Sequence, residues 1–119
     1  MPGPIVYQYP KCSTCRKALA YLDAKGVKYE SVDIVQQPPS KAELAAALKQ
    51  SGLPVKRFFN TSGQSYREGK FGARLPEMSD AQALDALAAD GKLIKRPLVV
   101  GKGFVLVGFD APTYQARFG

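Results

Sequence analysis

Histidine is absent from this 119-residue chain, and cysteine occurs only twice, at Cys12 and Cys15. A tetrahedral Cys/His metal site cannot be completed from one such chain, and proton transfers must use water, a substrate or another acid. No apolar run approaches the roughly 18 residues needed to cross a bilayer. The opening Met1-Pro2-Gly3-Pro4 has neither the charged n-region nor the apolar h-region of a secretory signal. With only two closely spaced cysteines, the expected setting is a reducing cytoplasm. Acidic residues are the scarcer charge, 10 against 17 basic, for a net +7. Long basic runs are missing as well, since none exceeds two residues, and the aromatics do not interleave with basic residues as a base-stacking platform would. Those absences argue against nucleic-acid and membrane partners. They leave surface solubility, or an anion site built from a few of the charges. The length and the 45% hydrophobic content fit one domain over residues 1–119, without repeats or low-complexity segments.

What is present is organised around Tyr9-Pro10-Lys11-Cys12-Ser13-Thr14-Cys15-Arg16-Lys17. A short apolar run at residues 4–9 reads as a strand before it. Ala18, Leu19, Tyr21 and Leu22 carry helical spacing after it. A sulfur at a strand-to-helix junction meets unpaired N–H groups and the positive end of the helix dipole, which favour its anion. A second sulfur one turn later is placed to close a disulfide with the first. Cys12 is therefore expected to be the nucleophile and Cys15 its resolving partner. A purely structural disulfide across two residues would close a tiny loop and return little stability, and Lys11, Arg16 and Lys17 favour thiolate over inert buried thiols.

The first helix is expected over residues 13–25, stopped by Gly26, and a second strand over 27–35. The strand–helix–strand unit makes those two strands parallel. Ser40 with Glu43 is a capping box for a helix reaching about Gln50, ended by Gly52 and Pro54. Residues 56–59 suggest a short helical turn, and 60–67 a polar loop suited to touching a ligand. Residues 69–74 carry no clear signal. Ser79 with Gln82 caps another helix ending near Gly91. A third strand follows Arg96-Pro97, turns at residues 101–103 and pairs back over 104–107 as a hairpin. Asp110 is expected to cap a last helix, with Pro112 in its first turn. This order is α/β and thioredoxin-like: a mixed four-stranded sheet flanked by helices, with core segments at about 4–36 and 92–119 and a helical insertion at about 37–91. Such a sheet brings the Cys12 loop near the start of the third strand, where Pro97 is a candidate cis proline or a plain strand-edge proline.

Four blocks, Pro10-Lys11-Cys12-Ser13-Thr14-Cys15-Arg16-Lys17-Ala18, Pro38-Pro39-Ser40, Phe58-Phe59-Asn60-Thr61-Ser62-Gly63 and Leu93-Ile94-Lys95-Arg96-Pro97, resemble the ArsC/Spx family in order and spacing. The resemblance implies a thioredoxin fold with a helical insert and two activities: arsenate reductases, and Spx-type regulators that bind RNA polymerase. It places the nucleophile at Cys12 and one oxyanion-binding arginine at Arg96. The family's other two arginines fall on Asn60 and Gly108, so Arg16, Lys11, Arg57 or Arg67 would have to stand in. It implies no bound cofactor, and an external reductant, thioredoxin or glutaredoxin with glutathione. Cys15, at a position where glutaredoxin-linked members typically lack cysteine, suggests an internal disulfide recycled by thioredoxin.

Under that resemblance arsenate docks against the N–H groups of residues 13–16 and the Arg96 guanidinium. Ser13, Thr14, Arg16, Asn60 and Pro97 are the expected substrate-binding positions, and Cys12, Cys15 and Arg96 the catalytic ones. The alternatives are an Spx-like redox-sensing regulator, for which Gly52 lies near the position of a polymerase-contacting glycine, and a general dithiol oxidoreductase. An enzyme needs basic side chains converging on the Cys12 sulfur; a regulator needs a flat contact surface.

Overall fold

The computed structural model describes residues 3–119. Met1 and Pro2, part of the segment read for a secretory signal, lie outside the described residues. Four short strands, β1 (Ile5–Gln8), β2 (Glu30–Asp33), β3 (Leu98–Gly101) and β4 (Phe104–Val107), form one sheet in the order β2-β1-β3-β4. β1 runs parallel to β2 and antiparallel to β3, and β3 runs antiparallel to β4. The sheet is mixed, as in a thioredoxin-like fold.

Alternation along the strands sorts the core into two layers. Val6 pairs with Val99 on one face, and Tyr7 pairs with Leu98 on the other. The Val6/Val99 face is covered by Ala18 and Leu22 of α1 (Ser13–Ala24) and by Tyr114 of α6 (Ala111–Phe118). The opposite face buries Tyr7 and Leu98 with Leu44 and Ala47 of α2 (Lys41–Ser51) and Ala83, Leu84 and Leu87 of α5 (Asp80–Ala89). α2 and α5 are also joined by an exposed ion pair, Lys41 Nζ to Asp85 Oδ1 at 2.9 Å, which contributes little at such exposure.

Both capping boxes form: Ser40 and Ser79 each accept from the N–H three residues on, and Glu43 and Gln82 reach back to the cap amides. Gly52 ends α2 as a left-handed cap. Between α2 and α5 lie a 3₁₀ turn at Val55–Phe58, α3 (Gln64–Glu68), α4 (Phe71–Arg74) and a 3₁₀ turn at Leu75–Glu77.

Three expectations need correction. The second strand is four residues long instead of nine, because only Glu30–Asp33 finds partners on β1. The polar loop expected over 60–67 closes at Gly63, and its second half is helical: burial of Tyr66 against Phe59 and Phe71 holds α3 where composition indicated a loop. Asp110 stands at the cap position of α6 but accepts no hydrogen bond there. Pro112 occupies the second helical position and has no N–H to offer a cap.

Among the described residues no helix is long and apolar enough to cross a membrane, and no three His, Cys, Asp or Glu side chains gather as a metal site.

Candidate functional site: a cationic cleft over Cys12

Sheet topology assembles the site. β1 ends at Gln8, and the chain turns so that the Cys12 N–H donates to the Tyr9 carbonyl at 3.0 Å. Cys12 caps α1 in extended geometry, and its sulfur accepts from the Cys15 N–H at 3.4 Å. Because β3 is antiparallel to β1 with Tyr7 opposite Leu98, the start of β3 lies beside the end of β1. Arg96, linked to Pro97 by a cis peptide, therefore reaches the Cys12 loop, with its guanidinium 5.0 Å from the centre of the Tyr9 ring. The end of β4 arrives at the same place: Leu98 faces Val107, and the Gly108 N–H donates to the Pro97 carbonyl at 2.9 Å. The buried Tyr114 hydroxyl donates to the Gly108 carbonyl at 2.9 Å and fixes that corner.

A third segment is stitched in through the backbone. The Asn60 N–H donates to the Leu93 carbonyl at 2.7 Å, and the Lys95 N–H donates to the Phe58 carbonyl at 2.8 Å. Gly63 allows a close turn here, since a Cβ would lie 2.7 Å from Asn60 Nδ2. The outcome is a polar cleft of about 510 Å³ in which Cys12, Thr14, Asn60 and Arg96 meet Arg57 and Lys95. That volume falls within the roughly 300–1,000 Å³ of small-molecule sites. Ser62, Gly108, Phe109 and Asp110 complete the wall, and the Asp110 carboxylate is its acidic group.

The two sulfurs have opposite characters. Partial burial pushes the Cys12 thiol up, but hydrogen bonds from the Cys15 side chain and N–H, together with the Arg96 guanidinium, outweigh it and bring the pKa below the ordinary 9.0. Cys15 is fully buried. That burial, with the neighbouring Cys12 charge, pushes it up to about 12, against the opposing effects of the Tyr9 N–H and Arg96. Both cysteines are free thiols. The arrangement is a partly exposed thiol biased toward its anion, with a buried thiol behind it that holds its proton more firmly.

Arg96 is half-buried, and its Nε and Nη1 atoms are buried without a hydrogen-bond partner. A buried guanidinium donor left unpaired costs free energy unless a ligand supplies the acceptor. Arg96 itself borders the cleft.

The remaining sequence-predicted positions fall elsewhere. The Arg16 side chain is exposed and does not border the cleft, and its N–H is taken by the Cys12 carbonyl at 3.1 Å. Ser13 is exposed at the helix start and contributes at most a backbone amide. Pro97 is buried behind the site. Of the four stand-ins for the arginines replaced by Asn60 and Gly108, only Arg57 borders the cleft. Lys11 is exposed outside it, and Arg67 turns back to donate to the Ser62 carbonyl at 2.7 Å. Lys95 was missed, although its place beside Arg96 in sequence carried the signal: the backbone before β3 puts both residues at the strand's mouth.

Alkylation separates the two thiols. Iodoacetamide should modify Cys12 with a pH midpoint below 9.0 and leave Cys15 unmodified in the folded protein, read by mass spectrometry of the two peptides. Cys15→Ala and Arg96→Gln should each raise that midpoint, since the thiol hydrogen bond and the guanidinium both favour the Cys12 anion. With its folded pKa depressed, Cys12 adds stability that is present above its unfolded value and is lost as pH falls through the folded one.

Fold and site together define a thioredoxin-like dithiol protein with a cationic cleft over its partly exposed sulfur. The ArsC family model matches residues 7–117, and the chain belongs to the ArsC family. It is 48% identical to the uncharacterized protein YusI of Bacillus subtilis (strain 168), over 94% of this chain and 95% of that one. It is 36% identical to an arsenate reductase of Rhizobium meliloti (strain 1021), over 80% of this chain and 66% of that one. To the global transcriptional regulator Spx of Streptococcus agalactiae (strain ATCC BAA-611 / 2603 V/R) it is 25% identical, over 90% and 77%. A crystal structure of an ArsC family related protein from Bacteroides fragilis superposes with a TM-score of 0.93 at 46% identity, covering 96% of each chain.

Proposed function

We propose that this chain is a thiol-dependent arsenate reductase that passes through a Cys12–Cys15 disulfide. The observation that carries the reading is the convergence of the Cys12 thiolate with the unpaired donors of Arg96 inside a cleft lined by further cations. The kinship with a protein named arsenate reductase supplies the substrate class.

Arsenate docks with its oxygens toward Arg96, the Asn60 amide and the helix-start amides near Thr14. The Cys12 thiolate attacks arsenic(V), an S–As bond forms, and one oxygen leaves as water after protonation. Adduct formation removes the charge from Cys12, so one of the influences that keep Cys15 protonated disappears. Cys15 then loses its proton and attacks the Cys12 sulfur. The S–S bond forms as the S–As bond breaks, and that electron pair stays on arsenic, which leaves as arsenite, arsenic(III). Thioredoxin returns two electrons and two protons to the disulfide; glutaredoxin with glutathione is the competing reductant. No bound cofactor enters the sequence. The proton source is water or the substrate's own hydroxyl, because the chain has no histidine.

The regulator reading rests on the resemblance to Spx, and its sequence marker, Gly52, is accounted for by ending α2. A concave cationic cleft over the thiol supports an enzyme over a flat contact surface.

The test is arsenate-dependent NADPH oxidation with thioredoxin and its reductase, run beside a glutaredoxin arm. Turnover in the thioredoxin arm is expected; none in either arm would refute the reading. In the same assay Arg96→Lys should raise the KM for arsenate by about tenfold or more, because an ammonium cannot present the planar two-pronged donor set that guanidinium offers an oxyanion. An unchanged KM would remove Arg96 from the binding site.

A further inference from the structure

The cleft holds a cation, Lys95, to which the sequence reading gave no role. Gly108 closes β4 with φ +79, and its missing side chain leaves a bare stretch of backbone. A Cβ there would lie 3.0 Å from Lys95 Cε and 3.9 Å from Lys95 Cδ, so the far end of the lysine stem lies in van der Waals contact with that backbone. The stem's root is fixed too, by the Lys95 N–H bond to the Phe58 carbonyl. Lys95 is one of the residues that line the Cys12 cleft. No ion pair between Lys95 and a carboxylate appears among the described residues.

From this geometry we infer that Lys95, seated on Gly108, is a second anion-contact residue of the Cys12 cleft and tunes it toward doubly charged oxyanions. The inference rests on the oxyanion reading of that cleft and adds a residue to it. Arg96 enters beside Tyr9 and Lys95 over the β4 corner, so the two cations approach a bound anion from different sides and neutralise two charges. Asp110 on the same wall disfavours any ligand that the cations do not offset. The aliphatic stem packs on Gly108 while the charged tip stays in water, the usual division of a lysine side chain. A larger residue at 108 would push the stem off its seat, which links the glycine at that position to the lysine thirteen residues earlier.

The test is anion protection of Cys12 against iodoacetamide in the full reduced protein, with sulfate and arsenate as probes and sodium chloride matching the ionic strength. The readout is the half-protecting anion concentration, which is independent of the unprotected alkylation rate. Lys95→Gln should raise it roughly threefold, the scale expected for one exposed charge. Lys95→Arg should keep it near wild type, and Lys28→Gln, an exposed lysine on the β2 side, should leave it unchanged. Lys95 is exposed, so its variants are expected to fold. Equal protection in Lys95→Gln and Lys28→Gln would overturn the assignment while leaving the oxyanion cleft intact. No protection of the wild type by either anion would overturn both.

Discussion

Replacing Cys12 with serine is expected to reduce arsenate-dependent turnover by on the order of 10³-fold or more, to the level without protein, since the variant has no other accessible thiol. Cys15 cannot take over: it is fully buried, and that burial, the largest cause of its raised pKa, does not depend on Cys12. Loss of fold is a poor explanation for such an outcome. Cys12 is the N-cap of α1, with its sulfur accepting from the Cys15 N–H. Serine is among the better residues for that role, so thermal stability should be retained or slightly raised. Activity and melting temperature are therefore expected to separate. Residual turnover in this variant would mean that the nucleophile has been misassigned.

Cys15→Ser should give an equally large loss of steady-state turnover with thioredoxin, by a different route. The Cys12 thiolate still attacks arsenate, so one equivalent of arsenic should be held per chain, detectable by mass spectrometry under mild conditions. No arsenite should leave without an added thiol, because the S–As bond breaks only when a second sulfur attacks. A small-molecule thiol reaching Cys12 through the open cleft should restore slow release; thioredoxin alone should not. The serine hydroxyl can accept the Tyr9 N–H that Cys15 now accepts at 3.5 Å, which limits the stability loss to about 1–2 kcal/mol from burying a more polar atom. Unchanged turnover with thioredoxin would exclude the disulfide intermediate.

The reach of the sequence followed the range of the interaction. Local rules sufficed for the caps at Ser40 and Ser79, the stops at Gly26 and Gly52, the β3–β4 hairpin and the position of Cys12 at the start of α1, because each depends on neighbours within a turn or two. They failed where a distant partner decided the outcome. Residues 64–67 read as loop from their composition, yet Tyr66 is drawn between Phe59 and Phe71 and the backbone coils around it. The second strand read as long because its alternation continued past the point where β1 has residues to pair with.

The site divides along the same line. The place of Cys12 at the start of the first helix and the downward direction of its pKa were legible in the sequence, since a CxxC pair at a strand-to-helix junction carries its own electrostatics. Which cations face that thiolate was settled by the sheet. The antiparallel register of β1 with β3, and of β3 with β4, brings residues 95, 96 and 108 to the mouth of the Cys12 loop and leaves the nearer Lys11 and Arg16 in solvent outside the cleft. A charge acts through space over a few ångströms, and only the folded chain fixes which charges are that close.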